Sequence, residues 1–173
     1  MKMHKIEKRV LTIKRSSLQG GIPNERYQES LLYDSRLTNH IPTDCVMTWK
    51  GYKSAGKDSK FTDLVCIDKE VFAEGKVINR KTGVCLRPSV DTGGGRGFRQ
   101  ENLDACFEKN SHYFLYETTG HTDSTLTIEI YWVPIEVIRN WYALHGSSGK
   151  IAYNKLKQCI SQCEIVQTSE TRD

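Results

Sequence analysis

The sequence predicts an α/β fold, on three observations. Runs rich in β-branched and aromatic residues, bounded by turn residues, lie at 45–49, 61–67, 71–78, 112–116 and 126–133. Apolar residues three and four apart mark helices over about 24–37, 100–109 and 150–166, and another opens at Pro134 with Ile138, Trp141 and His145 on one side. The strand and helix patterns follow one another along the chain instead of falling into separate halves. At 173 residues and 38% hydrophobic, the chain has room for one sizeable core, so a single domain over 1–173 is expected. No apolar run approaches the roughly 18 residues that span a membrane. The start, Met1-Lys2-Met3-His4-Lys5, leads into no signal-peptide core, so a soluble, cytoplasmic protein is expected.

The first fifteen residues hold Lys2, Lys5, Lys8, Arg9, Lys14 and Arg15 against one acid, Glu7. This basic N-terminal segment, 1–15, reads either as a stretch lying along a phosphate backbone or as a solvated, frayed terminus. Pro23-Asn24 opens the first helix, on which Glu29 shares the apolar face of Leu32, Tyr33 and Leu37. After the strand at 45–49, the loop 50–60 carries Lys53, Lys57 and Lys60 beside Tyr52, cations and an aromatic that suit contacts to a nucleic-acid backbone.

The segment 61–78 carries the chemistry. Two strand patterns flank a polar turn, Asp68-Lys69-Glu70, the ordinary sign of an antiparallel hairpin. With the turn centred there, paired positions sum to about 137 or 138, which sets Asp63 opposite Glu74 or Gly75 with Cβ atoms roughly 5 Å apart. Glu74 and Lys76 are two apart and share a strand face. Two converging carboxylates repel unless a cation lies between them. A hard ion such as Mg²⁺ takes carboxylate and carbonyl oxygens, which Asp63, Glu74 and the Gly75 carbonyl could begin to supply. Such an ion polarises a phosphoryl oxygen and acidifies a bound water, while Lys76 orients that water or steadies the phosphate. Phosphodiester hydrolysis is the chemistry this suits.

Asp63, the ten residues after it and Glu74-Gly75-Lys76 resemble the PD-(D/E)xK nuclease superfamily, which includes many restriction endonucleases. Thr62 stands where that family often has proline. The resemblance implies that Asp63 and Glu74 are metal ligands and that Lys76 is the catalytic lysine. It also implies that Glu29 is the residue an N-terminal helix could send toward the metal. The order after the first helix is strand, hairpin, helix, strand, strand, helix. In that family this order builds a central mixed β-sheet with helices on its faces, here a restriction-endonuclease-like core over about 24–133.

Downstream, Thr92-Gly93-Gly94-Gly95-Arg96-Gly97-Phe98-Arg99 fits neither common nucleotide-binding glycine pattern. A glycine-rich loop bearing Arg96 and Arg99 would instead allow close approach to DNA, and those two are the expected base readers. Leu103, Cys106 and Phe107 form a core stripe, as do Ala152, Leu156, Cys159, Ile160 and Cys163 on the C-terminal helix, 150–166, before a polar tail, 167–173. The six cysteines include no C-x-x-C pair and read as reduced core residues. A net charge of +4 and a pI near 8.7 suit a polyanion-binding enzyme with an acidic centre, and also many other proteins.

The expected function is therefore a Mg²⁺-dependent endonuclease acting on double-stranded DNA, a type II restriction enzyme working as a homodimer, with no membrane partner. The alternatives are a non-catalytic nucleic-acid-binding module on a similar fold, or a junction-resolving, repair or toxin nuclease.

Overall fold

A computed structural model describes residues 4–14, 52–54, 64–66, 72–88, 97–122 and 124–172. Nine strands and three helices are described, in the order β1 (Lys5–Lys14), β2 (Tyr52–Ser54), β3 (Leu64–Cys66), β4 (Phe72–Val77), β5 (Val84–Cys85), α1 (Gln100–Lys109), β6 (His112–His121), β7 (Thr125–Pro134), α2 (Ile135–His145), β8 (Lys150–Ile151), α3 (Tyr153–Ser161) and β9 (Glu164–Arg172). Seven strands form one mixed sheet in the order β2-β3-β4-β6-β7-β1-β9. The pairs β4–β6 and β1–β9 are parallel and the others antiparallel. The α/β class and the central mixed sheet with helices are thus present as expected.

A parallel pair needs a long crossover, and residues between β4 and β6 supply it with the β5 strand and α1. It begins with a tight turn in which the Asn79 side-chain carbonyl accepts the N–H groups of Lys81 and Thr82. Gly83 closes the turn at φ +84°, where its own missing Cβ would sit 2.0 Å from the Ile151 carbonyl. All three helices deliver their apolar stripes to one sheet face. Leu103, Cys106 and Phe107 from α1, Val137, Ile138 and Trp141 from α2, and Leu156, Cys159 and Ile160 from α3 pack with Ile6, Ile78, Tyr113, Leu115, Tyr131 and Val133. The opposite face, with Leu11, Phe114, Tyr116, Ile128 and Ile130, is also buried.

Two terminal segments differ from the sequence expectation. The basic N-terminal segment, 1–15, contributes an inner strand, β1, with β7 on one side and β9 on the other. Its alternation is masked by charge, because Glu7 and Arg9 point into the protein at 2% and 1% exposure. The helix expected over 150–166 is confined to Tyr153–Ser161, with Lys150–Ile151 in β8 and Ala152 exposed. The expected polar tail, 167–173, lies largely within β9, where pairing to β1 holds polar residues in line. The core expected over 24–133 therefore omits two strands of its own sheet. Among the described residues no helix is long and apolar enough to cross a membrane.

Candidate active site

The β3–β4 register decides which residues of β4 face the helices. Leu64 pairs with Ala73 and Val65 with Phe72, the first of the two registers expected. Glu74 then lies beside Tyr113 and Lys76 beside Leu115 on β6, so both point to the helix-covered face. Gly75 between them points the other way, onto Tyr116. A Cβ there would lie 2.6 Å from the Tyr116 hydroxyl, and Tyr116 is fully buried, so only glycine lets the strand sit this close.

Glu74 is buried, at 5% exposure. The Cys106 thiol, brought across by the α1 stripe, donates to Glu74 Oε2 at 3.4 Å. The same sulfur lies 3.0 Å from the Tyr113 hydroxyl, and Tyr113 donates to the Leu86 carbonyl at 3.4 Å. Asn110 fixes this end of α1 by donating to the Cys106 carbonyl at 2.8 Å and to the sulfur at 3.5 Å. Burial, and then the Glu74 carboxylate, push the Cys106 thiol far above the ordinary range, against a smaller downward pull from Lys76. Cys106 therefore remains a neutral donor and not a thiolate nucleophile. It also marks the spot where the fields of Glu74 and Lys76 meet. Lys76 Nζ donates to the Arg87 carbonyl at 2.6 Å.

Of the other sequence candidates, Lys53 lies in β2 opposite Val65. Arg99 is exposed at the N-cap of α1, where its carbonyl accepts from Asn102 and Leu103. Seven residues of helix, roughly 10 Å, separate it from Cys106. Asp63, Glu29, Lys57, Lys60 and Arg96 lie outside the described residues. Among the described residues no three His, Cys, Asp or Glu side chains gather as a metal-binding group. The donor set proposed for Mg²⁺ thus has Glu74 and the Gly75 backbone among the described residues, hard-oxygen donors of the right kind.

Sequence reading missed the partners of Glu74. Cys106 was visible as part of a core stripe, and a buried thiol counts as apolar until a carboxylate is placed next to it. It also missed Glu117, a second buried carboxylate on the same sheet face. Glu117 accepts from Tyr153 at 2.7 Å and from Lys157 at 3.3 Å, and pairs with Arg80 at 3.5 Å. Across the sheet, Glu129 stands directly opposite Glu117 and forms an ion pair with Lys8.

No protein-family model matches this chain, and no curated protein or solved structure matches it significantly.

Proposed function

We propose that this chain is a divalent-metal-dependent endonuclease that hydrolyses phosphodiester bonds of double-stranded DNA, with its centre at Glu74 and Lys76. The observation that carries the reading is the hairpin register, which supports pairing Asp63 with Glu74 as the next position beyond Leu64–Ala73. The parallel β4–β6 pair, joined through α1, supports the nuclease-like core that the sequence resembles. In this reading Asp63, Glu74 and the Gly75 carbonyl hold Mg²⁺, which supplies Lewis-acid polarisation of the phosphate and a more acidic water. Cys106 holds Glu74 Oε2, which orients the carboxylate without neutralising it. Lys76 turns from the Arg87 carbonyl to the scissile phosphate, and Lys53 and Arg99 contribute cations to the DNA path. A type II restriction enzyme is the specific form we favour within this class.

One observation favours a second reading, a nucleic-acid-binding module whose carboxylate is structural. Glu74 is 5% exposed and bonded to a core thiol, deeper than hydrolysis of a duplex requires. Incubating supercoiled plasmid with the protein and Mg²⁺, with and without EDTA, separates the two. Cleavage that EDTA abolishes supports the nuclease. Binding without cleavage under Mg²⁺ and Mn²⁺ overturns it in favour of the module.

A further inference from the structure

We propose that Arg87 is a preset phosphate anchor, its guanidinium gripping the backbone phosphate next to the one that Lys76 meets. The proposal rests on the reading of this chain as a nuclease for the identity of the strand it holds. Arg87 follows β5 in the crossover, and its carbonyl accepts from Lys76 Nζ at 2.6 Å. The guanidinium belongs to the same residue as that carbonyl, so the two cations stand within one side chain's reach of each other.

Three contacts fix where the Arg87 side chain lies. Nε donates to the Ser148 carbonyl at 2.7 Å. The guanidinium carbon sits 5.3 Å from the centre of the Phe98 ring, within cation–π range. Gly149 makes room for the stem, because a Cβ there would lie 2.5 Å from Arg87 Cγ and 3.0 Å from Phe98 Cε2. The turn that supplies the carbonyl is itself held tightly. Ser147 and Lys150 exchange backbone hydrogen bonds at 2.9 and 3.0 Å, and between them Ser148 and Gly149 take φ of +50° and +79°. Two positive φ values in a two-residue loop are those of a type I′ hairpin, a conformation that a residue such as Ser148 adopts at a cost. The Gly149 carbonyl accepts from Leu86 N–H at 2.7 Å, and Gly149 N–H donates to the Tyr142 hydroxyl at 2.9 Å. The turn is thereby tied to the crossover and to α2.

Arg87 is half-buried, and among the described residues no carboxylate pairs with it. An arginine presents its donors as a planar fork that matches two phosphate oxygens. With the plane set against Phe98 and Nε against a carbonyl, rotamer freedom is lost before a ligand arrives, and less is lost on binding. A staple that merely joined the crossover to the hairpin would use the same contacts. The two roles differ in salt dependence, because only a cation that neutralises a phosphate releases condensed counterions.

Fluorescence anisotropy of a labelled DNA duplex, with Ca²⁺ in place of Mg²⁺ and at several salt concentrations, tests the anchor on the full chain. Arg87→Gln is expected to weaken binding about tenfold and to flatten the log-log salt slope by about one unit. A folded Arg87→Gln with the parent's affinity and slope, or with a lower urea midpoint and the parent's slope, overturns the anchor. If Arg87→Gln does not fold, Arg87→Lys decides. It keeps the charge, and so the slope, but loses the fork, so affinity should fall severalfold. Arg87→Lys that binds as the parent does overturns the anchor. A parent that binds no duplex overturns it as well. Plasmid cleavage by the parent with Mg²⁺ reports on the nuclease reading separately: a flattened slope without cleavage supports the anchor and removes that reading, and cleavage with an unchanged slope does the reverse.

Discussion

Glu74 and Glu117 are both buried carboxylates on one face of one sheet, at 5% and 2% exposure, and they are met by different chemistry. Glu117 receives two cations and a hydroxyl: Lys157 and Tyr153 from α3, and Arg80 from the turn after β4. Those contacts fasten a helix and a turn to the sheet, which is work a structural acid does. Glu74 Oε2 receives the Cys106 thiol, and Lys76 on the same face donates to the Arg87 carbonyl. Its contact with Cys106 orients one carboxylate oxygen. Two similarly buried carboxylates on one face thus meet different donors, and burial alone assigns a role to neither.

Of the two lysines, Lys76 carries the larger expected effect. Lys76→Ala should lower the rate of Mg²⁺-dependent cleavage by about a hundredfold or more, a loss of about 3 kcal/mol of transition-state stabilisation. Calorimetric titration with Ca²⁺ or Mn²⁺ should show metal binding nearly intact, because an ammonium is not a ligand. Collapse of metal affinity together with the rate would give Lys76 a structural role like that of Lys157.

Gly75→Ala should destabilise the protein by about 1–3 kcal/mol, read from the urea midpoint, because the new methyl meets the hydroxyl and ring of the fully buried Tyr116. An unchanged midpoint would show that the β4–β6 spacing, and with it the placement of Glu74, is looser than described.

His112 offers a titratable reference on the far face of β6. It packs on Phe114 and Trp132, with Ser111 Oγ 2.6 Å from Nδ1. Burial holds its pKa down at about 3, from an ordinary 6.5. The folded state keeps the ring neutral while the unfolded chain takes up a proton below about pH 6.5. Its stabilisation is therefore full above that value and is lost as pH falls toward 3, at up to about 1.4 kcal/mol per pH unit. His112→Gln should flatten the fall in urea midpoint over that window. Parallel curves for the two proteins would refute the assignment.

The smallest effect is expected at Lys157→Ala. Its side chain is 36% exposed and its charge screened, so the loss should stay below about 1 kcal/mol, with cleavage unchanged. A drop in cleavage would bring the Glu117 region into the chemistry and erase the contrast.

How much of this was legible follows the same logic of charge and burial. The β3–β4 register could be read because a polar turn at 68–70 and a period of two leave little choice. α1 could be read to its ends, Gln100 and Lys109, from its stripe. β1 is hidden in the sequence because the charges of Glu7 and Arg9 break its apolar alternation, whereas the strand buries both between neighbours. β9 was hidden because an edge strand needs few apolar residues, and its sequence then resembles a tail. Glu117 lies just beyond the apolar run that ends at Tyr116, whereas β6 continues to His121 through a bulge between Thr118 and Gly120. Cys106 was placed correctly in the core, but a thiol as the donor to an acid has no sequence signature.

The most direct test of the central contrast is to make Glu74→Gln and Glu117→Gln and to measure both plasmid cleavage and unfolding free energy for each. Glu74→Gln should abolish Mg²⁺-dependent cleavage while leaving stability unchanged or slightly raised, because an amide removes a charged ligand and a buried charge together. Glu117→Gln should keep cleavage and lose about 1–2 kcal/mol, because the amide gives up charged hydrogen bonds to α3 and the turn. If Glu74→Gln instead retained cleavage and lost stability as Glu117→Gln does, Glu74 would be a second structural acid and the site assignment would be contradicted.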